Sequence, residues 1–271
     1  MASEAAINAV VLEVLDRHLR NEPHERTEIT INKAKHEIVS SALDFLVKDT
    51  ASPLLAARVI LTVRDTSRSN GAGDQPTTEL AAHITASTNP DTSSPSSISV
   101  ILDDIHHAHG GPPPAAAAAT PQRASAIPTH PGTGTSTKRP LAETYREYIS
   151  TFMADPATAA ASLPRFLHQP VTHNTRALSV PEYHGLGQVV RGSIPDLGCE
   201  VVGLIADEER QVVAARLEFA GTLVRPFAGA QPPAGGGRAV RIGEIVFYWF
   251  DGGRIREVVS LVDMKGLQAQ S

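Results

Sequence analysis

Two hydrophobic rhythms alternate along this chain, and their order divides it into regions. Near the start, Ile7, Val10, Val11, Val14, Leu15 and Leu19 recur at three- and four-residue spacing. That stripe predicts an amphipathic helix over residues 4–20, with Ser3 as its N-cap and Pro23 barring its continuation. A second helix is expected from Asn32 to Val47, where Ala34, Ile38, Ser41, Ala42, Phe45 and Leu46 share a face. Leu54–Val63 is rich in Ala, Val, Ile and Leu and reads as a segment that starts helical and ends extended. Thr78–Thr85 and Ile98–Leu102 read as short strands. The Ser-, Asn-, Asp-, Pro- and Gly-rich stretches 67–75 and 87–97 are exposed loops in this reading, because segments so polar gain nothing from burial.

Residues 110–140 break both rhythms. Three consecutive prolines, an alanine run and many Thr and Gly leave no periodic apolar face, so this stretch predicts a disordered linker between two domains. The expected organisation is an N-terminal α+β region over 1–109 and a second domain over 141–271. The helical rhythm resumes at Leu141–Met153, where Leu141, Tyr145, Tyr148, Ile149 and Phe152 form a stripe. A short helix is expected over Ala157–Phe166, capped by Asp155 with Pro156 at its first position. Strand rhythm follows at Val171–His173, Gly198–Ile205, Val212–Ala220, Val240–Phe250 and Ile255–Val262. Helices followed by a run of strands predict an α+β domain with a curved antiparallel sheet.

Composition narrows the partners. The chain has 271 residues, 41% of them hydrophobic, which suffices for one large core or two small ones. Its net charge of −5, with Lys and Arg scattered, argues against nucleic acid or an anionic membrane as a partner. A single cysteine, Cys199, excludes a disulfide scaffold and points to a reducing compartment. No apolar stretch reaches the roughly 18 residues of a membrane span, and no secretory signal is visible. A soluble, cytoplasmic protein is expected.

The most informative stretch is Ala215–Asp263. Three apolar, β-branched runs are joined first by a long Pro/Gly loop and then by Asp251-Gly252-Gly253, the grammar of an antiparallel meander with a tight hairpin. Its sequence of marks is Arg216–Phe219, Gly221-Thr222, Phe227 through Arg238, Val246–Phe250, the Asp-Gly-Gly turn and Val262-Asp263. In order and spacing it resembles the SnoaL-like polyketide cyclases of the NTF2-like superfamily, over about residues 141–267. The resemblance implies a cone-shaped sheet around one hydrophobic ligand. It also implies a homodimer, or an intramolecular pseudodimer if the N-terminal region is a degenerate second copy. One departure stands out. Family members often carry His, Trp and Asp in the closing strand, where this chain has Val258, Val259 and Ser260.

Ionisable groups on strands inside such a cone are the candidates for chemistry, since charge there is poorly screened. Glu244 alternates with Ile242, Val246 and Tyr248 on one face of its strand. Apolar neighbours would raise its pKa toward the neutral range that suits a general acid/base. The alternative is an ion pair with Arg216 or Arg241. His173 ends the first strand of the domain and is either a proton shuttle or a backbone-bonded strand end. Tyr248 and Arg216 are expected to steady an oxyanion, although Arg216 serves equally as a partner of Glu218 or Glu244. Trp249 would add bulk to the core or wall. His184 lies either at the pocket mouth or in a surface pair with Glu182. Asp263 is read as a substrate-side acid or as a cap for the C-terminal segment.

Asp103, Asp104, His106, His107 and His109 superficially suggest a metal cluster, but no second ligand set follows at the usual spacing, so no metal is expected. No other cofactor is expected either. Gly235-Gly236-Gly237-Arg238 precedes a strand and not a helix, so it is no phosphate loop. The reading is a cofactor-independent cyclase, isomerase or dehydratase acting by acid/base catalysis on a hydrophobic polyketide- or terpenoid-like intermediate. The alternative is a non-catalytic NTF2-like module that binds a ligand or a protein, a reading that the serine at 260 favours.

Overall fold

The computed structural model describes residues 36–48, 54–65, 77–88, 95–104 and 139–270, which fall into two compact units. The helix expected over 4–20 and most of the linker expected over 110–140 lie outside the described residues, as do His106, His107 and His109. The N-terminal unit holds a four-stranded sheet, β1 (His36–Lys48), β2 (Leu54–Asp65), β3 (Thr77–Thr88) and β4 (Pro95–Asp104), in sequential order. Strands β3 and β4 are antiparallel.

This corrects two expectations. The segment expected as a helix ending at Val47 contains a strand, and Leu54–Val63 is extended throughout. Val39, Ser41, Leu43, Phe45 and Val47 also alternate with period two. Pairing with β2 satisfies the backbone within the sheet, and that tertiary gain overrides the weaker helical pattern.

The C-terminal unit is an α+β cone. It opens with α1 (Leu141–Phe152), α2 (Pro156–Ser162) and a 3₁₀ turn at Leu163–Arg165. It continues with β5 (Leu167–His173), β6 (Arg176–Leu178) and α3 (Val180–Ser193). The remaining elements are β7 (Gly198–Asp207), β8 (Val212–Leu223), β9 (Arg238–Asp251), β10 (Arg254–Val262) and α4 (Met264–Ala269). The sheet order is β6-β5-β10-β9-β8-β7. Strands β7 to β10 form the expected antiparallel meander, but β5 joins β10 in parallel, so the sheet is mixed. Irregularities at Val201/Gly203 and Ile255/Glu257 bend it.

Local chemistry explains the boundaries. Asp155 caps α2 by accepting from the Ala157 and Thr158 amides, with Pro156 in the first turn. Ser179 and Glu182 close a capping box on α3. Gly252 and Gly253 carry φ of +58° and +81° between β9 and β10, as a two-residue type I′ turn requires. The core sits between the sheet's concave face and α1 and α3. Leu141, Tyr145, Tyr148, Leu163, Leu167, Val213, Leu217, Val246 and Ile255 are all buried there. A second cluster of Ile194, Leu223, Val240, Ile242 and Leu267 closes the other end.

Candidate active site

The concave face is not filled. It leaves a hollow of ≈ 190 Å³ between the sheet and the helices α1 and α3, open on one side. Leu217, Phe219, Ile242, Val262, Ile149, Phe152 and Val190 make most of its wall apolar. Into it face a carboxyl group, an imidazole, a guanidinium, a hydroxyl and three phenols, from Glu244, His173, Arg191, Ser260, Tyr148, Tyr183 and Tyr248.

Glu244 lies on the pocket face of β9, two residues from Ile242 and four from Tyr248. Burial pushes its carboxyl from 4.5 up to about 7, against the opposing pull of a hydrogen bond from Ser260. Ser260 Oγ donates to Glu244 Oε1 from the neighbouring β10. Asn174 fixes Ser260 in turn. Its Nδ2 donates to the Ser260 carbonyl at 2.9 Å, and its Oδ1 accepts from the Ser260 amide at 2.8 Å. Asn174 sits at φ +44° just after β5, a left-handed conformation that asparagine tolerates better than most residues.

All four tyrosines of the chain gather at this place. Tyr148 and Tyr183 share a hydrogen bond of 2.7 Å between their hydroxyls. The Tyr248 ring lies 5.0 Å from Tyr145 and 5.5 Å from Tyr148, centre to centre. Burial raises all four phenols above their ordinary value, so they are neutral donors across the physiological range. His173 ends β5 and stacks edge-on against Tyr183 at 5.7 Å.

The structure thus brings Glu244, His173 and Tyr248 into one pocket, and sets four other expected residues outside its lining. Arg216 alternates with the pocket-facing Leu217 and so projects from the opposite side of β8. It forms no ion pair with Glu218, whose partner is Arg241. Trp249 likewise sits on the outer side of β9 beside Phe247, 6.4 Å ring to ring. His184 is buried within α3, bonded to Gln188 at 2.9 Å and edge-on to Phe152. Glu182 is committed to its capping box, so the surface pair with His184 does not form. Asp263 caps α4 by accepting from the Gly266 amide at 2.7 Å.

Sequence reasoning missed Ser260 as a partner of the acid, Asn174, Arg191 and the Tyr148–Tyr183 pair. Tyr148 stood in an apolar stripe, where a phenol resembles plain core, and Tyr183 was not singled out. Among the described residues, no group of three or more His, Cys, Asp or Glu side chains is placed to hold a metal ion. No described helix is long and apolar enough to cross a membrane. Cys199 packs against the core, and burial pushes its thiol up to about 12, which leaves it a poor nucleophile.

The family model for SnoaL-like polyketide cyclases matches residues 141–271. A SnoaL-like polyketide cyclase of known structure from Agrobacterium tumefaciens is 30% identical to this chain. The match covers 49% of this chain and 98% of that one, with a TM-score of 0.43. TsrD from Streptomyces laurentii is 22% identical over 47% of this chain and 94% of its own, with a TM-score of 0.40. No curated protein matches the chain.

Proposed function

This chain belongs to the SnoaL-like polyketide cyclase family, and from that premise we propose that its C-terminal cone catalyses a cyclisation, isomerisation or dehydration by proton transfer. The substrate class is a hydrophobic polyketide- or terpenoid-like intermediate. The observation that carries this reading is the Glu244 carboxyl, held in an apolar hollow at a pKa of about 7. At neutral pH such a group is divided between its two protonation states, so it can take a proton from carbon and return one.

The surrounding groups fit that role. Removing a proton next to a carbonyl places negative charge on the carbonyl oxygen. Neutral phenols held by packing are suited to donate to that oxygen. Tyr248 stands on the same strand face as Glu244, and Tyr148 and Tyr183 face it from the helices. Whichever of the paired phenols accepts the shared hydrogen bond keeps its own O–H for a ligand. His173 is the second proton-carrying group. The oxyanion role that the sequence suggested for Arg216 passes to these phenols. Ser260 replaces the closing-strand acid, and Glu244 supplies the carboxyl from the adjacent strand. A cytoplasmic setting and a homodimer or intramolecular pseudodimer belong to the same proposal.

Exchange of the α-protons of 2-tetralone into D₂O, followed by NMR, tests the reading. Glu244→Gln is expected to slow exchange by ~10²-fold or more and to leave binding of the ketone unchanged. Equal exchange by both proteins removes Glu244 from the mechanism. A wild-type protein that binds ketones without exchanging them favours the non-catalytic module.

A further inference from the structure

Among the described residues, Arg191 is the only Lys or Arg that lines the pocket. It stands in the last turn of α3, half-buried, and donates through Nη2 to the Met153 carbonyl at 2.7 Å. The Met153 sulfur lies 3.9 Å from the same nitrogen. Among the described residues, no carboxylate pairs with Arg191. A guanidinium carries five N–H donors in a planar fork and stays charged at any physiological pH. One of these donors is committed to Met153, at the C-terminal end of α1. The others belong to a cation set in a wall of Phe152, Val190 and Leu186.

A half-buried charge beside apolar side chains has lost part of its hydration, and a ligand group of opposite sign would compensate that loss. Among the described residues, the other acidic or basic side chains of the lining, phenols aside, are Glu244 and His173. Glu244 is turned to Ser260 and is largely protonated below neutrality. The pocket therefore offers one unspent positive charge, a planar fork and an apolar hollow.

We infer that Arg191 is a substrate-binding residue, and that the pocket takes a hydrophobic acid whose ionised carboxylate docks on its guanidinium while the apolar body fills the hollow. A carboxylate matches the fork in shape and balances a single positive charge. A phosphate dianion would leave excess negative charge in the same low-dielectric wall. This inference rests on the proposed function only for the location of the site, because its test reads binding and not turnover. Loss of exchange in Glu244→Gln and loss of acid preference in an Arg191 variant can each occur without the other.

The test compares 2-naphthoate with methyl 2-naphthoate by isothermal titration calorimetry at pH 6. The full-length wild-type chain is expected to bind the acid at least ~10-fold more tightly than the ester, since a hydrogen bond to a charged group exceeds the 1.4 kcal/mol of a tenfold change. Arg191→Gln should abolish this preference and leave ester affinity within about twofold, because its amide can still donate but carries no charge. Arg191→Lys should retain part of the preference, and circular dichroism checks that both variants fold. Three results overturn the inference: equal wild-type affinity for acid and ester, no wild-type binding of the acid, or an Arg191→Gln effect that is the same for both ligands. The last of these would leave Arg191 as a cap for α1 alone.

Discussion

Ser260 reaches across the β9–β10 ladder to donate its hydroxyl hydrogen to Glu244. The two residues are diagonal neighbours, since Glu244 pairs with Val262 and Ser260 with Val246. The bond opposes burial and holds the Glu244 carboxyl lower than burial alone would. Ser260→Ala removes that opposition and favours the protonated form. The Glu244 titration, followed by carbon-detected NMR of the carboxyl, is expected to move upward from about 7. If Glu244 acts as a base, the rising limb of the α-proton exchange rate moves upward with it. An unchanged titration would show that the serine does not act on the carboxyl.

Glu244 also makes stability depend on pH in an unusual direction. Its folded pKa of about 7 lies above its ordinary value of 4.5, so the folded state binds the extra proton between those limits. Its contribution to stability is complete below about pH 4.5 and is lost as pH rises through about 7. Glu244→Gln removes this dependence. In urea titrations the variant should therefore gain on the wild type as pH rises from 5 to 8, by at most roughly 3 kcal/mol. The capping carboxylates Asp155 and Glu182, whose pKa values are lowered by their hydrogen bonds, run the opposite way but cancel in the difference between the two proteins. A flat difference would show that Glu244 is solvated in the folded state.

The placement of Glu244 and Tyr248 was legible because strand alternation is strictly local. Alternation fixes that Glu244 and Tyr248 share a face of β9 with Ile242 and Val246, and these apolar neighbours marked that face as the inner one. The caps at Asp155 and Asp263 were legible for the same reason. Arg216 was not, because two strand faces look alike until the sheet's concave side is known, and only the covering helices decide that. Arg191, Tyr148 and Tyr183 reach the pocket from helices, so their roles depend on how those helices pack. Ser260 was visible only as the absence of an acid. The segment around β1 shows the limit most plainly, since its residues satisfy both periods and the sheet made the choice.

The phenol pair predicts a stability cycle. Tyr148→Phe or Tyr183→Phe breaks this bond and leaves the other hydroxyl one partner short, at a cost of ~1 kcal/mol. Replacing both removes that hydroxyl along with the bond, so the double variant should be destabilised by less than the sum of the singles. Urea unfolding of the four proteins measures the coupling. Strict additivity would mean that the 2.7 Å contact contributes nothing that packing does not.

Gly187 separates the demands of the pocket from those of the fold. A β-carbon there would lie 2.8 Å from Phe152 Cζ and 3.0 Å from Cε1, too close for the ring to stay. Both residues line the hollow, and the atoms met are the far end of a side chain, so the ring can swing into open space without disturbing backbone. Gly187→Ala should therefore leave stability unchanged or raise it by up to ~1 kcal/mol, because alanine favours a helix interior over glycine. The displaced ring takes up volume inside the hollow. Affinity for methyl 2-naphthoate is expected to fall by about 10-fold, the scale of one misplaced methylene in an apolar pocket. Calorimetric affinity and the thermal midpoint, measured on the same variant, should then move independently. A variant that loses stability and affinity together would place the Phe152 ring in the load of the core and not at its boundary with the ligand.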